Sequence, residues 1–190
     1  MIRCLLFLLS LLLFTTCKTK VKEADGASGF FPVLSYLQSQ VRQVDTSVYS
    51  ITKITKTAGR QDTVYLRREE FRAAAQDFLA LPDLTAEENK YTETKLYDED
   101  LKKVVISYAP KNKAAASGIT RQEILIEPGD QTSDQVQTIY IETALHNSDS
   151  TVQKRLTWNV AKNFQVITII NKEGRPETVQ TTDVFWGAPF

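Results

Sequence analysis

The amino-acid sequence predicts an α+β fold, with two helices packed on one face of a curved antiparallel β-meander sheet. Two segments of the N-terminal half carry apolar residues at helical spacing, as in helices with one buried face. From residue 91 onward, short segments rich in β-branched and aromatic residues alternate with polar turns, which is typical of consecutive strands. Strands joined by short turns form an antiparallel meander, and helices beside such a sheet define the α+β class.

The first helix is predicted over residues 30–44. Its apolar stripe consists of Phe30, Leu34, Leu37, Val41 and Val44. Pro32 suits the first helical turn, because the N–H that proline lacks has no intrahelical partner there. The pair Phe30-Phe31 is expected to pack in the core at the helix entry, with a membrane or partner contact as the alternative.

The second helix is predicted over residues 68–81. Glu69 and Glu70 suit the positive end of its dipole, and Pro82 ends it because the residue before a proline is driven out of helical geometry. A capping-box spacing at residues 85–88 predicts one further short turn.

The strands are predicted from alternating apolar and polar residues. An N-terminal hairpin is expected from strands at 47–56 and 63–67 around a turn at 58–62. The later strands are expected at 91–96, 103–108, 120–127, 135–145, 151–160, 164–170 and 177–186. In the 151–160 segment, one face carries Val152, Lys154, Leu156, Trp158 and Val160. The other face of that strand is polar, so one side is predicted to be buried and the other wet.

Residues 1–17 have the layout of a secretory signal. Arg3 provides a positive start, residues 5–14 are apolar except for Ser10, and small polar residues lead to Cys17. The apolar run is shorter than the roughly 20 residues of a transmembrane helix. With cysteine at the cut, the segment resembles a bacterial lipoprotein signal of the looser Bacteroidetes type. An uncleaved signal anchor and a secreted protein with a free cysteine are the alternatives.

The resemblance implies that Cys17 is the lipid attachment site, with acyl chains such as palmitate anchoring the chain in the membrane. Two or more chains give stable anchoring, at about 0.8 kcal/mol for each buried methylene. The basic residues Lys18, Lys20 and Lys22 favour the periplasmic side of the outer membrane over surface export. Residues 18–29 are expected to form a flexible tether, and residues 30–190 a single α+β domain, which resembles no known family.

The charge and cysteine content exclude several classes of protein. Lys and Arg total 23, as do Asp and Glu. Loss of the residues that precede Cys17 removes one charged side chain, Arg3. Such a nearly neutral domain lacks the basic footprint of nucleic-acid binding. The resemblance to a lipoprotein signal implies that Cys4 is discarded and Cys17 acylated, so no disulfide is expected even in an oxidising compartment.

Catalytic signatures are weak throughout the sequence. His146, the single histidine, is expected in a surface turn, and no zinc-binding spacing accompanies it. Ser117 and Ser148 lack a nucleophile-elbow motif. Glycine-rich phosphate-binding motifs do not occur. No catalytic residue, metal site or cofactor is therefore predicted.

Acidic side chains are densest at residues 87–88 and 98–100. Paired carboxylates are the groups that glycoside hydrolases use, so these segments leave a hydrolytic function open. The spacing of an EF-hand calcium loop is absent from both. Adjacent carboxylates in a turn usually point into solvent, so solvated turns are the favoured interpretation.

Aromatic residues concentrate in the sheet-forming half of the chain: Tyr140, Trp158, Phe164, Phe185 and Trp186. Aromatic side chains dominate core burial, so an ordinary core is the simpler interpretation. The alternative is an aromatic-lined concave sheet that binds a ligand, with Tyr140, Trp158 and Trp186 as the candidate ligand-binding residues. The C-terminal residues 185–190 are expected to dock back on the domain.

These observations predict a membrane-anchored envelope lipoprotein without enzymatic activity, which uses its sheet to bind an apolar ligand or an envelope protein. A hydrolase acting on cell-wall or glycan material, with carboxylates brought together by folding, is the alternative.

Overall fold

The computed structural model describes residues 29–112, 118–129 and 135–187. Its helices are α1 (Val33–Asp45), α2 (Arg68–Ala74), α3 (Gln76–Leu79) and a 3₁₀ segment (Leu84–Lys90). Its strands are β1 (Ile51–Thr57), β2 (Arg60–Leu66), β3 (Tyr91–Asp98), β4 (Lys103–Pro110), β5 (Ile119–Glu127), β6 (Gln135–His146), β7 (Ser150–Asn159), β8 (Asn163–Lys172) and β9 (Thr178–Trp186). The predicted α+β class is confirmed.

All nine strands form one open antiparallel sheet in the order β2-β1-β9-β8-β7-β6-β5-β4-β3. The seven strands from β3 to β9 are neighbours in chain order, which confirms the predicted meander. The N-terminal hairpin extends the far end of this meander, because β1 pairs antiparallel with β9. The first and the last of the described strands therefore lie side by side.

The hairpin turn is tighter than the sequence suggested. Only Ala58 and Gly59 separate the two strands, and both have positive φ, 43° and 81°. Two-residue turns with positive φ at both positions match the twist of paired strands. The residues 60–62 assigned to the turn consequently belong to β2.

The first helix begins three residues later than predicted, because the preceding aromatics pack on β4. The ring centroids of Phe30 and Tyr108 lie 4.5 Å apart, and the Phe31 N–H donates to Tyr108 Oη at 2.9 Å. Pro32 has a non-helical ψ of 73° and precedes the helix as its N-cap. It therefore stands outside the first turn where we expected it.

The second predicted helix is divided into α2 and α3. Ala75, the residue at the break, has φ −86° and ψ 6°, and the Phe78 N–H donates to its carbonyl at 3.0 Å. Phe71, Ala75 and Phe78 are all fully buried. The break therefore lies at a residue that faces the core, between the two aromatic side chains that pack on the sheet.

The 3₁₀ segment is the short turn expected at residues 85–88, but its cap differs from the expected one. The side chain of Asp83 accepts a hydrogen bond from the Thr85 N–H at 3.0 Å. Asp83 thus caps the segment, in place of the capping box that residues 85–88 suggested.

Candidate binding face

The core lies between the helices and one face of the sheet. Phe71 and Phe78 make edge contacts with Trp158, with ring centroids 6.3 Å and 5.2 Å apart. Trp158 also stacks on Phe164 at 5.3 Å. Trp186 packs beside these residues, with its ring centroid 5.1 Å from that of Trp158. Both tryptophans therefore belong to the aromatic core under α2 and α3.

The three residues predicted to bind a ligand do not lie together. Trp158 is fully buried and Trp186 is 6% exposed, both beneath the helices. Tyr140 pairs with Thr157, the neighbour of Trp158 along β7. Because successive side chains of a strand point to opposite faces, Tyr140 lies on the other side of the sheet from both tryptophans.

A small cavity lies between α1 and the sheet. It has a volume of about 10 Å³ and is lined by Phe31, Leu37, Phe78 and Gln122 among others. The Gln122 Nε2 group is buried and has no hydrogen-bond partner within the described ranges. A space of this size holds about one water, so it cannot accommodate a lipid or a sugar.

The opposite side of the sheet, which we call the open face, carries no helix among the residues that the structure describes. A row of polar side chains crosses it from β4 to β9. Strand register places these residues side by side, and we call them the central row: Ser107, Glu123, Tyr140, Thr157, Gln165 and Asp183. Neighbouring strands lie about 4.8 Å apart, so the row presents hydrogen-bonding groups at regular intervals.

Tyr140 is the centre of a charged cluster in this row. Its hydroxyl donates to Glu142, and the Arg121 guanidinium lies over its ring, 5.9 Å from the centroid. Arg121 Nη2 also donates to Glu123 Oε1 at 2.7 Å, and this bond raises the pKa of Arg121. Partial burial, together with the hydrogen bond to Glu142, raises the pKa of Tyr140 to about 12.

Asp183 ends the row as a carboxylate that is only 7% exposed, although it lies on the open face. Gln165 Nε2 donates to its Oδ1 at 2.6 Å, and Ile54 pairs with it from β1. Buried carboxylates are rare unless they are paired, so this amide–carboxylate pair has a fixed geometry. A fixed acceptor of this kind is what a binding surface requires for specificity.

Two shorter groups of side chains lie beside the central row, both on the same side of it. Thr138 Oγ1 donates to Asn159 Oδ1 at 3.0 Å, and Asn159 Nδ2 donates to Asn163 Oδ1 at 3.1 Å. On the same side of the row, towards β3, the apolar residues Leu96, Val105 and Leu125 are paired in register. Val105 is 9% exposed and Leu96 is 46% exposed, so this apolar corner reaches the sheet edge.

The residues considered for catalysis lie apart from this row. His146 is exposed at the end of β6, with Nδ1 3.1 Å from Thr151 Oγ1. Ser148 is exposed in the following turn, and Asp98 Oδ1 accepts from the Leu101 N–H at 2.9 Å in the β3–β4 turn. Among the described residues, no three histidine, cysteine or acidic side chains are grouped as metal ligands.

Several predictions fall outside the described ranges. The signal segment 1–17 with Cys17, the tether up to residue 28, Ser117 and residues 188–190 belong to them. In the described part of the chain, the helices are all too short or too polar to cross a membrane.

Comparison with protein-family models, with curated proteins and with solved structures finds no match to this chain. This agrees with the expectation that residues 30–190 resemble no known family.

Sequence reasoning missed most of the open-face residues, namely Arg121, Glu123, Glu142, Gln165 and Asp183. Alternation within β7 did assign Thr157 to the wet face. The pairing between strands, however, decides which polar residues become neighbours, and the alternation within one strand carries no information about that register.

Proposed function

We propose that this protein is a lipid-anchored envelope protein, attached through Cys17, which binds a protein partner through the open face without catalysing a reaction. The observation that supports the proposal is the central row, with its fixed Asp183–Gln165 pair, on a sheet face that the described helices leave uncovered. The lipid anchor and the periplasmic side of the outer membrane rest on the signal segment and its basic flank.

The charges of the open face suit a polar partner surface. Arg121, Arg155, Glu123 and Glu142 all lie on this face. Strand register sets Glu142 opposite Arg121 of β5 on one side and opposite Arg155 of β7 on the other. Mixed charges of this kind specify orientation and partner choice more than affinity. The apolar corner at Leu96 and Val105 adds the hydrophobic area that protein interfaces also contain.

A protein partner agrees better with the packing than an apolar ligand does. Two of the three aromatic side chains expected to hold such a ligand, Trp158 and Trp186, lie in the core. The cavity beside Gln122 has room for about one water. Most of the exposed apolar side chains lie on the strands or in the β3–β4 turn, with Val48 and Tyr49 before β1 as the exceptions. Partner contact at the surface is therefore the form of binding that we propose.

Site-specific photo-crosslinking in cells tests the binding face. A photoreactive residue at Thr157, in the central row, should yield one dominant adduct, whereas the same residue at exposed Gln43 on α1 should not. Arg155→Glu should reduce the Thr157 adduct, because it reverses a charge on the same face while leaving the core intact. Equal adducts from Thr157 and Gln43, or an adduct that ignores Arg155→Glu, would contradict the proposed face.

The anchor is tested separately. Replacement of Cys17 by alanine should abolish incorporation of a labelled palmitate analogue and release the protein from the membrane fraction. Cys4→Ala is the matched control, since Cys4 lies inside the signal segment. Continued labelling of the Cys17→Ala chain would show that the acceptor lies elsewhere.

Glycan hydrolysis is a second candidate, because Glu123 and Glu142 lie diagonally across β5 and β6. The Cα atoms of diagonal neighbours on one sheet face are roughly 7–8 Å apart, so flexible Glu side chains at these positions are able to reach the roughly 5–9.5 Å carboxyl separation of glycoside hydrolases. Both carboxylates are engaged by Arg121 or Tyr140, which favours a structural role. Cell-wall fragments released by the purified protein, and lost in Glu142→Gln, would establish this second candidate.

A further inference from the structure

Strand β3 is a free edge of the sheet in the described structure. It is eight residues long, and its pairing with β4 runs from Tyr91↔Pro110 to Asp98↔Lys103 without a bulge. The Lys111 N–H donates to the Lys90 carbonyl at 2.9 Å, so Lys90 directs its backbone groups towards β4. Because this direction alternates along an antiparallel strand, Glu93 and Lys95 direct their N–H and C=O groups outward, away from β4.

Natural sheets usually protect such an edge with prolines, bulges or charged side chains, lysine above all. β3 contains no proline, and its single lysine, Lys95, forms an ion pair with Glu93 of the same strand at 2.9 Å. The edge is therefore able to accept another strand.

The sequence of β3 is complementary to itself when read antiparallel about Thr94. In that register Glu93 faces Lys95 of a second copy, and Lys95 faces its Glu93. One step further out, Thr92 faces Leu96 and Tyr91 faces Tyr97. Beyond these, Lys90 faces Asp98. We propose that two copies of this chain associate through β3, related by a two-fold axis at Thr94, to form one continuous sheet.

Backbone directions and charges select this register over its neighbours. It makes Glu93 and Lys95 of opposite copies hydrogen-bonded pairs, as their outward backbone groups require. The two neighbouring registers with the same backbone alternation centre on Glu93 or on Lys95. Each of these sets like charges directly opposite one another, which destabilises strand pairing.

The other edge of the sheet is less suited to self-pairing. Two copies of β2 paired about Thr63 would set Asp62 against Val64 and Arg60 against Leu66, so no opposite charges would meet. Pairing about Gln61 would set Arg60 against Asp62, but it would overlap only residues 60–62, because β2 begins at Arg60. Charge complementarity over a full strand therefore favours β3 as the edge for a second copy.

Exposed apolar side chains accompany the β3 edge. Leu96, Tyr97 and Leu101 are 46%, 54% and 53% exposed, and all belong to β3 or its turn to β4. A second β3 strand would cover the edge side of Leu96 and extend the apolar corner across the two-fold axis. Association would thus bury apolar area as well as backbone groups.

Disulfide trapping in membranes, with the full-length chain, tests the register at single-residue resolution. In the proposed pair the two Thr94 residues are a non-hydrogen-bonded pair, with Cα atoms about 4.5 Å apart, within the range of about 4.4–6.8 Å that a disulfide needs. Thr94→Cys should therefore give a disulfide-linked dimer on mild oxidation. The unsubstituted chain controls for Cys4 and Cys17.

Thr92→Cys is the matched control on the same strand face. Its two copies would be offset by four residues, about 13 Å along the strand, so it should not form the dimer by itself. Thr92→Cys combined with Leu96→Cys should form it, because these two residues face one another. Equal trapping of Thr94→Cys and Thr92→Cys, or no trapping at Thr94, would overturn the proposal.

Charge exchange tests the same interface without relying on oxidation geometry. In the Thr94→Cys chain, Glu93→Lys or Lys95→Glu alone replaces two attractive pairs by two repulsive ones and should lower dimer yield about tenfold. The double exchange restores opposite charges and should recover the yield. A double exchange that remains as poor as either single change would contradict the proposed pairing.

This association is independent of the proposed partner on the open face. Glu93→Lys should leave the Thr157 adduct unchanged, and Arg155→Glu should leave the Thr94 disulfide unchanged. Failure of one proposal can therefore be recognised while the other stands.

Discussion

The two faces of the sheet are built on different physical principles. The helix-covered face is held by the packing of apolar side chains. Its fully buried aromatic residues contact one another: Trp158, Phe164, Phe71 and Phe78. The open face is held by directional hydrogen bonds. Its hydroxyl, amide and carboxylate side chains bond to one another across neighbouring strands. A single strand such as β7 contributes to both, because its side chains alternate between the faces.

Fold stability and the proposed partner binding depend on different faces of the sheet. Apolar burial contributes the larger part of the folding free energy, and in the described structure it lies mainly under the helices. Polar side chains on the open face contribute less stability, since water can replace many of their contacts. They are consequently the residues that can change with a binding partner at little cost to the fold.

The largest expected effect comes from Trp158→Ala. Removing a fully buried aromatic side chain leaves a cavity, and we expect the free energy of unfolding to fall by about 3–5 kcal/mol. Thr157→Ala is the matched control on the same strand, and on the open face it should cost about 0.5 kcal/mol or less. Urea denaturation measures both, and equal effects would show that the two faces do not differ as described.

Asp183→Ala tests the exception, a buried carboxylate on the open face. It removes the hydrogen bond that Gln165 donates to a charged acceptor, and we expect a loss of about 1.5–3 kcal/mol. Asp183→Asn retains an acceptor oxygen and should recover most of that loss. If alanine and asparagine are equally harmful in urea denaturation, the Gln165 contact does not account for the burial of Asp183.

A smaller effect is expected at the rim of the helix-covered face. Lys154 Nζ lies 2.6 Å from Asp77 Oδ1, with the two side chains 32% and 40% exposed. Ion pairs exposed to this degree contribute little, so Lys154→Met should lower the free energy of unfolding by about 0.5 kcal/mol, and less in high salt. Arg155→Met is the control on the open face. If Lys154→Met lowered the free energy of unfolding by a large amount that did not depend on salt, the ion pair would behave as a buried one, contrary to this expectation.

The finest test concerns the protonation of Tyr140. The pKa of this residue is raised to about 12 by partial burial and by Glu142, whereas an unfolded tyrosine ionises near pH 10. Between these values the unfolded state has lost a proton that the folded state retains, so stability falls as pH rises from about 10 to 12. Spectrophotometric titration should lose one late-ionising phenol in Tyr140→Phe, while Tyr36 and Tyr108, whose burial also raises the pKa, continue to ionise late. An unchanged titration in Tyr140→Phe would contradict the raised pKa of Tyr140.

Local structure was predictable wherever a single segment contained the complete signal. The alternation of Leu156, Trp158 and their polar neighbours correctly oriented β7, because period-two burial requires no knowledge of the partner strand. Element ends were less accurate. Phe30 fitted the helical stripe, but Phe30 and Phe31 both contact Tyr108 and lie before the helix.

The candidate site was predictable only in part. Tyr140, Trp158 and Trp186 share aromatic chemistry, and the sequence offered no reason to separate them. Pairing between distant strands placed Tyr140 on the open face and both tryptophans in the core. It also brought Gln165 to Asp183 across two neighbouring strands.

The amino-acid sequence by itself determined the secondary structure, the antiparallel meander and the lipoprotein-like N-terminus that predicts a membrane anchor, since these depend on patterns within short segments. The tertiary structure decided that the N-terminal hairpin joins β9, that both tryptophans lie in the core, and that the central row crosses the open face. The physical reason is that strand register and sheet order depend on contacts between residues far apart in the chain, and no local pattern encodes them.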